Sequence, residues 1–193
     1  MQQTHQVAEK MVFLYKFLQS PKSVGSVTPS SRFLTEKMMQ PIDWHSLRAV
    51  AELGAGTGVF TRAIRERLHP DATALIFEQD YAMRRQLRLR EPRLTFETDA
   101  RDLSASMSRH GITCLDAVVS GLPFANFDPM LRDRILDEVS QSLRPGGVFV
   151  TFQYSLQMKA HLEKRFDRVE IGFVPLNFPP AFVYVCRTKE VSH

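Results

Sequence analysis

A glycine-rich turn between an apolar run and a helical pattern constrains the fold of this chain more than any other feature. Residues 49–53 are apolar apart from Glu52, and Gly54-Ala55-Gly56-Thr57-Gly58 follows them directly. Residues 59–68 then repeat apolar side chains at helical spacing. A strand that joins a helix through glycines is typical of a nucleotide cradle, because glycine allows a ligand to approach the backbone closely. A plain tight turn is the alternative interpretation.

The spacing of the glycines restricts the type of nucleotide-binding site that the turn can form. The pattern is G-x-G-x-G rather than G-x-G-x-x-G, and no lysine follows the last glycine. A dinucleotide pyrophosphate site and a phosphate loop of the Walker type therefore both fit less well.

The rest of the chain alternates between strand and helix patterns. The predicted strands are residues 49–53, 72–77, 94–97, 115–119, 148–152, 168–173 and 182–186. The predicted helices between them are residues 59–68, 81–89, 129–143 and 157–164. Because no helix separates the last two strands, they should form an antiparallel hairpin on an otherwise parallel sheet. The sequence predicts an α/β fold with a Rossmann-like, seven-stranded, mostly parallel sheet and an antiparallel last strand.

Composition supports one folded core and an anionic partner. The chain has 193 residues, of which 44% are hydrophobic and 24% charged, which excludes a disordered chain, a collagen-like repeat and a disulfide scaffold. Lys and Arg number 25 against 21 Asp and Glu, so the net charge is +4, which suits nucleic acid or a lipid surface. Cys114 and Cys186 stand in apolar runs and predict buried thiols in a reducing compartment.

The first 40 residues differ from the remainder in their pattern of apolar and basic residues. We therefore predict two domains, residues 1–40 and residues 41–193. One apolar helix face is expected between residues 7 and 18, with lysines nearby, and a second helix at residues 29–39. The first helix has the composition of an interfacial helix, although packing on the protein's own core is an open alternative. Without a membrane-spanning run or a secretion signal, the expected location is cytoplasmic and peripheral to the membrane.

Acidic residues end two further predicted strands near the glycine turn. Glu78 ends the second strand and is positioned to accept hydrogen bonds from ribose hydroxyls. Asp99 follows the third strand, where it can accept a hydrogen bond from an exocyclic adenine amine. Each acid alone is more often a solvated loop carboxylate, but together with Glu52 they predict a nucleoside pocket. No residue pattern predicts a metal site.

With these motifs the chain resembles the class I S-adenosylmethionine-dependent methyltransferases, and Leu143-Arg144-Pro145-Gly146-Gly147 extends the resemblance. The resemblance implies that residues 52–58 hold the methionine and ribose parts of S-adenosylmethionine, Glu78 the ribose diol, and Asp99-Ala100 the adenine. The predicted cofactor-binding residues are Glu52, Gly54, Ala55, Gly56, Thr57, Gly58, Glu78, Gln79, Asp99, Ala100 and Ser120.

The end of the fourth strand suggests the methyl acceptor. Nucleobase amino-methyltransferases generally carry Asn or Asp before Pro-Pro-Tyr or Leu-Pro-Tyr there, whereas this chain has Ser120-Gly121-Leu122-Pro123-Phe124. Together with residues 13–31 and Asn177-Phe178-Pro179-Pro180-Ala181, this motif resembles the bacterial phospholipid N-methyltransferases. The resemblance implies phosphatidylethanolamine as substrate, methylated toward phosphatidylcholine, and an N-terminal helix on the anionic inner face of the cell membrane. It implies no protein partner and disfavours RNA.

An amine acceptor needs deprotonation and alignment rather than covalent catalysis, because the sulfonium methyl group is already electrophilic. The candidate proton acceptors are Tyr15 and Tyr154, and aromatic rings are available to hold the methylated ammonium. The predicted substrate-binding residues are Gly121, Leu122, Pro123, Phe124 and Phe127. Core packing is the ordinary role of such rings. Methylation of RNA adenine, methylation of another amine lipid such as ornithine lipid, and cofactor binding without catalysis remain alternative functions.

Overall fold

The computed structural model describes residues 29–190 of the chain. The predicted helix at residues 7–18 and the candidate Tyr15 lie outside the described residues. The first described element is helix α1, Pro29–Met39, at the predicted position. No helix within this range is both long and apolar enough to cross a membrane.

Seven strands form one sheet, as predicted. They are β1 Ala49–Leu53, β2 Thr73–Phe77, β3 Thr95–Glu97, β4 Leu115–Ser120, β5 Leu143–Gln153, β6 Arg168–Val174 and β7 Ala181–Arg187. Their order is β3-β2-β1-β4-β5-β7-β6. The first five are parallel, and β7 runs antiparallel to both β5 and β6. The carboxyl ends of β1 to β5 therefore meet at one edge of the sheet, where ligands bind in open α/β folds.

Helices cover both faces of this sheet. After α1 they are α2 Val59–Arg67, α3 Tyr81–Arg90, α4 Leu103–Arg109, α5 Pro129–Ser142 and α6 Lys159–Glu163. Short 3₁₀ turns occur at Ala100–Asp102 and Phe124–Asn126. One core contains side chains of α1, α2 and α3, and the second those of α4, α5 and α6. Because β1 is buried on both faces, its sequence is a continuous apolar run interrupted only by Glu52.

Helix α1 is part of this fold. Leu34, Met38 and Met39 are buried in the first core, and Arg187, at the end of β7, donates a hydrogen bond to the carbonyl of Pro41 over 3.1 Å. Because β7 is antiparallel to β5, that contact places the carboxyl end of α1 at the amino edge of the sheet.

Two expectations from the sequence need correction. Strand β5 begins at Leu143 rather than residue 148, because Leu143 pairs with Leu115 before the register shifts and Val148 pairs with Ala117. Cys114 is exposed, whereas Cys186 is buried as expected. Cys114 lies in the connection just before β4, and an apolar neighbour in the sequence does not bury a residue that precedes a strand.

Candidate functional site

The glycine turn is bound to the ends of two neighbouring strands. The backbone N–H groups of Gly54 and Ala55 both donate to the carbonyl of Phe77, over 2.9 and 3.0 Å. Gly54 has φ +78°, and a Cβ there would lie 2.7 Å from Leu122 Cδ2. A side chain at position 54 would therefore be strained and would push the turn away from the loop after β4.

Glu78 closes the other side of the turn. Its Oε2 accepts a hydrogen bond from the Gly56 N–H over 2.6 Å, and its Oε1 accepts one from the Asp80 N–H over 2.8 Å. The side chain is almost fully buried. Each carboxylate oxygen still has a lone pair for a further donor, so Glu78 is fixed in place while keeping capacity for ribose hydroxyls. Gln79, beside it, is exposed.

Asp99 lies at the carboxyl end of β3, within the same edge of the sheet. Its carboxylate caps the 3₁₀ turn and accepts a hydrogen bond from Arg101 Nε over 2.8 Å. The hydrogen bond from Arg101 and the charge of this guanidinium hold the pKa of Asp99 below its usual value. Asp99 therefore stays ionised, and it and Ala100 are both partly exposed.

Glu52 is the most unusual ionisable group in the site. It is 0% exposed, and neither of its carboxylate oxygens has a hydrogen-bond partner among the described residues. The hydroxyl of the buried Thr61, on α2, also has none there. Burial raises the pKa of Glu52 to about 8. The polar groups of nearby Thr61 lower this pKa in part, and the negative charge of Glu78 raises it further. At neutral pH Glu52 is therefore mostly a neutral acid that can donate as well as accept a hydrogen bond.

These observations fit an S-adenosylmethionine site. The glycine turn supplies close backbone approach, two acids end successive strands beside it, and buried polar atoms lie unsatisfied beneath it. Buried polar groups in folded proteins normally have a protein or water partner, so an orphaned pair next to a cradle indicates a place for ligand or water. When bound, S-adenosylmethionine supplies an electrophilic methyl group.

A second part of the site lies where β4 and β5 end. A cavity of about 190 Å³ opens between the loops that follow these strands. It is lined by Gly121, Leu122, Pro123, Ala125, Asn126, Phe152, Gln153, Tyr154, Ser155 and Gln157. None of these ten residues carries a charge at neutral pH. The cavity therefore suits a small neutral group, and three of the five predicted substrate-binding residues line it.

Gln153, the last residue of β5, connects the two loops. Its Nε2 donates to the Leu122 carbonyl over 3.0 Å, and its Oε1 accepts from the Ala125 N–H over 3.4 Å. Ser120 Oγ accepts a further hydrogen bond from the Leu122 N–H over 3.1 Å. Gln153 is buried and was missed from the sequence. The only signal is one amide at the end of the apolar run of β5, which no motif distinguishes from a strand end.

The candidate aromatic residues divide between cavity and core. Tyr154 lines the cavity, and its ring packs edge-on against Phe152 with the centroids 5.7 Å apart. Burial raises the pKa of the Tyr154 phenol above its usual value. Phe124 is completely buried, with its ring against Phe127 and Phe149, and neither Phe124 nor Phe127 lines the cavity.

Two arginines of helix α3 have structural partners. Arg84 donates to the carbonyl of Glu78 over 2.5 Å, and Arg88 donates to the carbonyl of Phe96 over 3.2 Å. These hydrogen bonds fix α3 to the ends of β2 and β3, and so stabilise the edge of the sheet where Glu78 and Asp99 lie.

The comparisons with known proteins agree with this geometry. A family model described as a methyltransferase domain matches residues 50–147, which include the glycine turn and the end of β4. The chain therefore belongs to the class I S-adenosylmethionine-dependent methyltransferases, and its cofactor is S-adenosylmethionine.

One curated relative covers nearly the whole chain. The protein is 38% identical over 186 residues to the ornithine lipid N-methyltransferase of Singulisphaera acidiphila, covering 94% of this chain and 97% of the relative. This similarity extends beyond the methyltransferase core into both ends of the chain.

Solved structures show the same fold. The N-methyltransferase NodS of Bradyrhizobium japonicum, bound to S-adenosyl-l-homocysteine, superposes with a TM-score of 0.70 at 15% identity, covering 91% of this chain and 98% of NodS. The 16S rRNA N2 G1207 methyltransferase RsmC of T. thermophilus superposes with a TM-score of 0.62 at 22% identity. It covers 87% of this chain, but this chain spans only 45% of RsmC. At these identities the likeness shows the fold alone.

Proposed function

We propose that this methyltransferase N-methylates a primary amine in the headgroup of a membrane lipid. The observation that carries the proposal is the neutral cavity at the ends of β4 and β5, where Ser120 and Gly121 replace the amide or acid of nucleobase amino-methyltransferases. A cavity of about 190 Å³ that has no amide or acid at positions 120 and 121 suits an alkylamine better than a base. The whole-length relative named as a lipid N-methyltransferase supports the same class of substrate.

The chemistry of the cavity also suits an amine. An alkylammonium has an ordinary pKa of about 10, and it must lose a proton before its lone pair can attack. An uncharged, partly enclosed cavity disfavours the ammonium and so lowers its pKa. The Tyr154 phenol stays protonated at neutral pH, because burial raises its pKa. We therefore propose that the Tyr154 hydroxyl orients the amine and that water accepts the proton. The face of the Tyr154 ring would stabilise the methylated cation.

Two headgroups compete within this class. The resemblance of residues 120–124 and 177–181 favours phosphatidylethanolamine, which would be methylated toward phosphatidylcholine at the inner face of the cell membrane. The relative from Singulisphaera acidiphila favours ornithine lipid. Both headgroups present a primary amine on a short flexible chain, so the uncharged lining of the cavity is compatible with either.

A methyl-transfer assay with labelled S-adenosylmethionine distinguishes these substrates. Vesicles with phosphatidylethanolamine and anionic lipid, vesicles with ornithine lipid and the same anionic lipid, and under-methylated ribosomal RNA are offered in parallel. We expect label in one lipid fraction, resolved as mono-, di- or trimethylated headgroup. Label in RNA alone would contradict the proposal. Absence of label from all three, with cofactor binding intact in calorimetry, would contradict both headgroups.

A further inference from the structure

An apolar patch lies exposed around the loop that joins β6 to β7. Phe178 is 81% exposed, Leu176 62% and Phe173 55%. Single exposed apolar residues are ordinary on protein surfaces, but three large ones within six residues of the chain are not. We call these three residues the loop patch.

In this loop the polar residue is buried and the apolar residues are exposed, which is the opposite of an ordinary surface loop. Its polar residue, Asn177, is buried, and its side chain donates to the Pro179 carbonyl over 2.7 Å. The Asn177 N–H also donates to the Val174 carbonyl over 3.3 Å. These bonds hold the polar side chain inward and direct its neighbours Leu176 and Phe178 outward. The exposure of the two apolar side chains is therefore built into the loop.

The loop patch lies at the same edge of the sheet as the cavity at the ends of β4 and β5, which we call the acceptor cavity. Phe182, at the start of β7, pairs in register with Gln153 at the end of β5 and with Phe173 on β6. The rings of Phe173 and Phe182 lie 5.1 Å apart. Leu156, which stands between the cavity-lining residues Ser155 and Gln157, is also 51% exposed. The patch and the cavity thus lie at the same edge of the sheet.

An exposed lysine reaches the strand that leads into the patch. A Cβ built on Gly172 would lie 2.8 Å from Lys37 Cε, so the Lys37 side chain reaches β6 next to Gly172, on the opposite face of the sheet from the Phe173 ring. Lys37 and Arg32 are exposed on α1, and residues 175–180 contain no charge. The nearby acid Glu36 is paired with Arg67 over 2.8 Å. An apolar tip near an exposed cation complements an anionic bilayer, whose headgroups attract the cation and whose acyl boundary accepts the rings.

We propose that the loop patch inserts into the headgroup–acyl boundary of an anionic lipid bilayer and holds the acceptor cavity at headgroup level. This proposal rests on the proposed function, because a cavity held at headgroup level reaches the amine of a lipid that stays in the bilayer. The insertion itself is measurable without any methyl transfer.

The first test places a fluorescent reporter in the patch. The chain has one tryptophan, Trp44, which donates a hydrogen bond to the Met39 carbonyl near the amino edge of the sheet. In the full-length Phe178→Trp protein, vesicles of anionic lipid with dibrominated acyl chains should quench the added emission about two-fold or more, since interfacial side chains reach about 5–10 Å into the bilayer. Wild type and Leu89→Trp, on the exposed end of α3, serve as controls. Equal quenching in all three proteins, or none at position 178, would overturn the proposal. The latter would mean that another part of the chain or a second copy covers the patch.

The second test removes the patch without adding a probe. The Leu176→Ser/Phe178→Ser protein should bind these vesicles about ten-fold more weakly, because two large side chains no longer leave water. Leu89→Ser should bind like wild type, and thermal unfolding checks that both proteins are folded. Unchanged vesicle binding of the double variant would refute the insertion. Normal insertion without methylation of any lipid would instead refute the proposed function, so the two failures are distinct.

Discussion

At the scale of single residues, Glu52 gives the site a protonation state that the sequence alone did not reveal. Its pKa is raised from 4.5 to about 8 by burial, so the folded state holds a proton that the unfolded chain releases above about pH 4.5. Linkage then requires that this group's contribution to stability is greatest below pH 4.5 and is lost as the pH rises through 8.

We therefore expect Glu52→Gln, which keeps the shape and removes the ionisation, to change how stability depends on pH. Between pH 5.5 and 8.5 the wild type should lose free energy of unfolding relative to the variant, on the order of 1–4 kcal/mol. Urea unfolding at both pH values measures this difference, and groups common to both proteins cancel. Parallel pH dependences would show that Glu52 is not a buried neutral acid.

Tyr154 is the residue through which we expect the cavity to act on the amine. Tyr154→Phe keeps the ring and its contact with Phe152 but removes the hydroxyl. Turnover should therefore fall by about ten-fold or more, as for the loss of one orienting hydrogen bond. Cofactor affinity should be unchanged. Tyr81→Phe is the matched control, because Tyr81 is 70% exposed on α3. Tyr15→Phe, made in parallel, tests the other tyrosine. Unchanged turnover of both Tyr15→Phe and Tyr154→Phe would remove the tyrosines from the mechanism.

At the scale of elements, the loops after β4 and β5 act as one unit because Gln153 bonds to both. Gln153→Ala leaves the Leu122 carbonyl and the Ala125 N–H without this partner, which should cost about 1–3 kcal/mol of stability. It should also raise KM for the acceptor more than it changes cofactor affinity. Gln141→Ala, at an exposed position of α5, is the control. An unchanged acceptor KM in the folded variant would show that the amide does not position these loops.

The same elements show what the sequence predicts and what it does not. Strands β1, β2 and β4 were found because they are almost entirely buried, which leaves apolar runs in the sequence. Helix α1 was found from its proline start. The early start of β5 was missed because Leu143 pairs across a register shift that has no periodic signature. Gln153 and the inward Asn177 were missed for a related reason. Their roles depend on partners brought close by the fold, and nothing in the local pattern specifies those partners.

At the scale of the whole molecule, two groups of basic side chains are candidates for attraction to an anionic bilayer. The first is Lys10, Lys16 and Lys22, in the segment predicted to contact membrane. The second is Arg85, Arg90 and Arg93, which are exposed on and after α3. The net charge of +4 does not distinguish them, since both groups contribute to it.

Reversing each group in the full-length chain separates their roles. A lysine near an anionic surface contributes about 1 kcal/mol, so Lys10→Glu/Lys16→Glu/Lys22→Glu should weaken binding to anionic vesicles by about a hundred-fold or more. Arg85→Glu/Arg90→Glu/Arg93→Glu carries the same charge change and should bind nearly as wild type, because α3 lies at the β2–β3 side of the sheet, away from the loop patch beside β6. Sedimentation with vesicles at two salt concentrations measures both, since screening should reduce the difference. Equal losses in the two variants would mean that net charge, rather than an oriented surface, attracts the protein to the membrane.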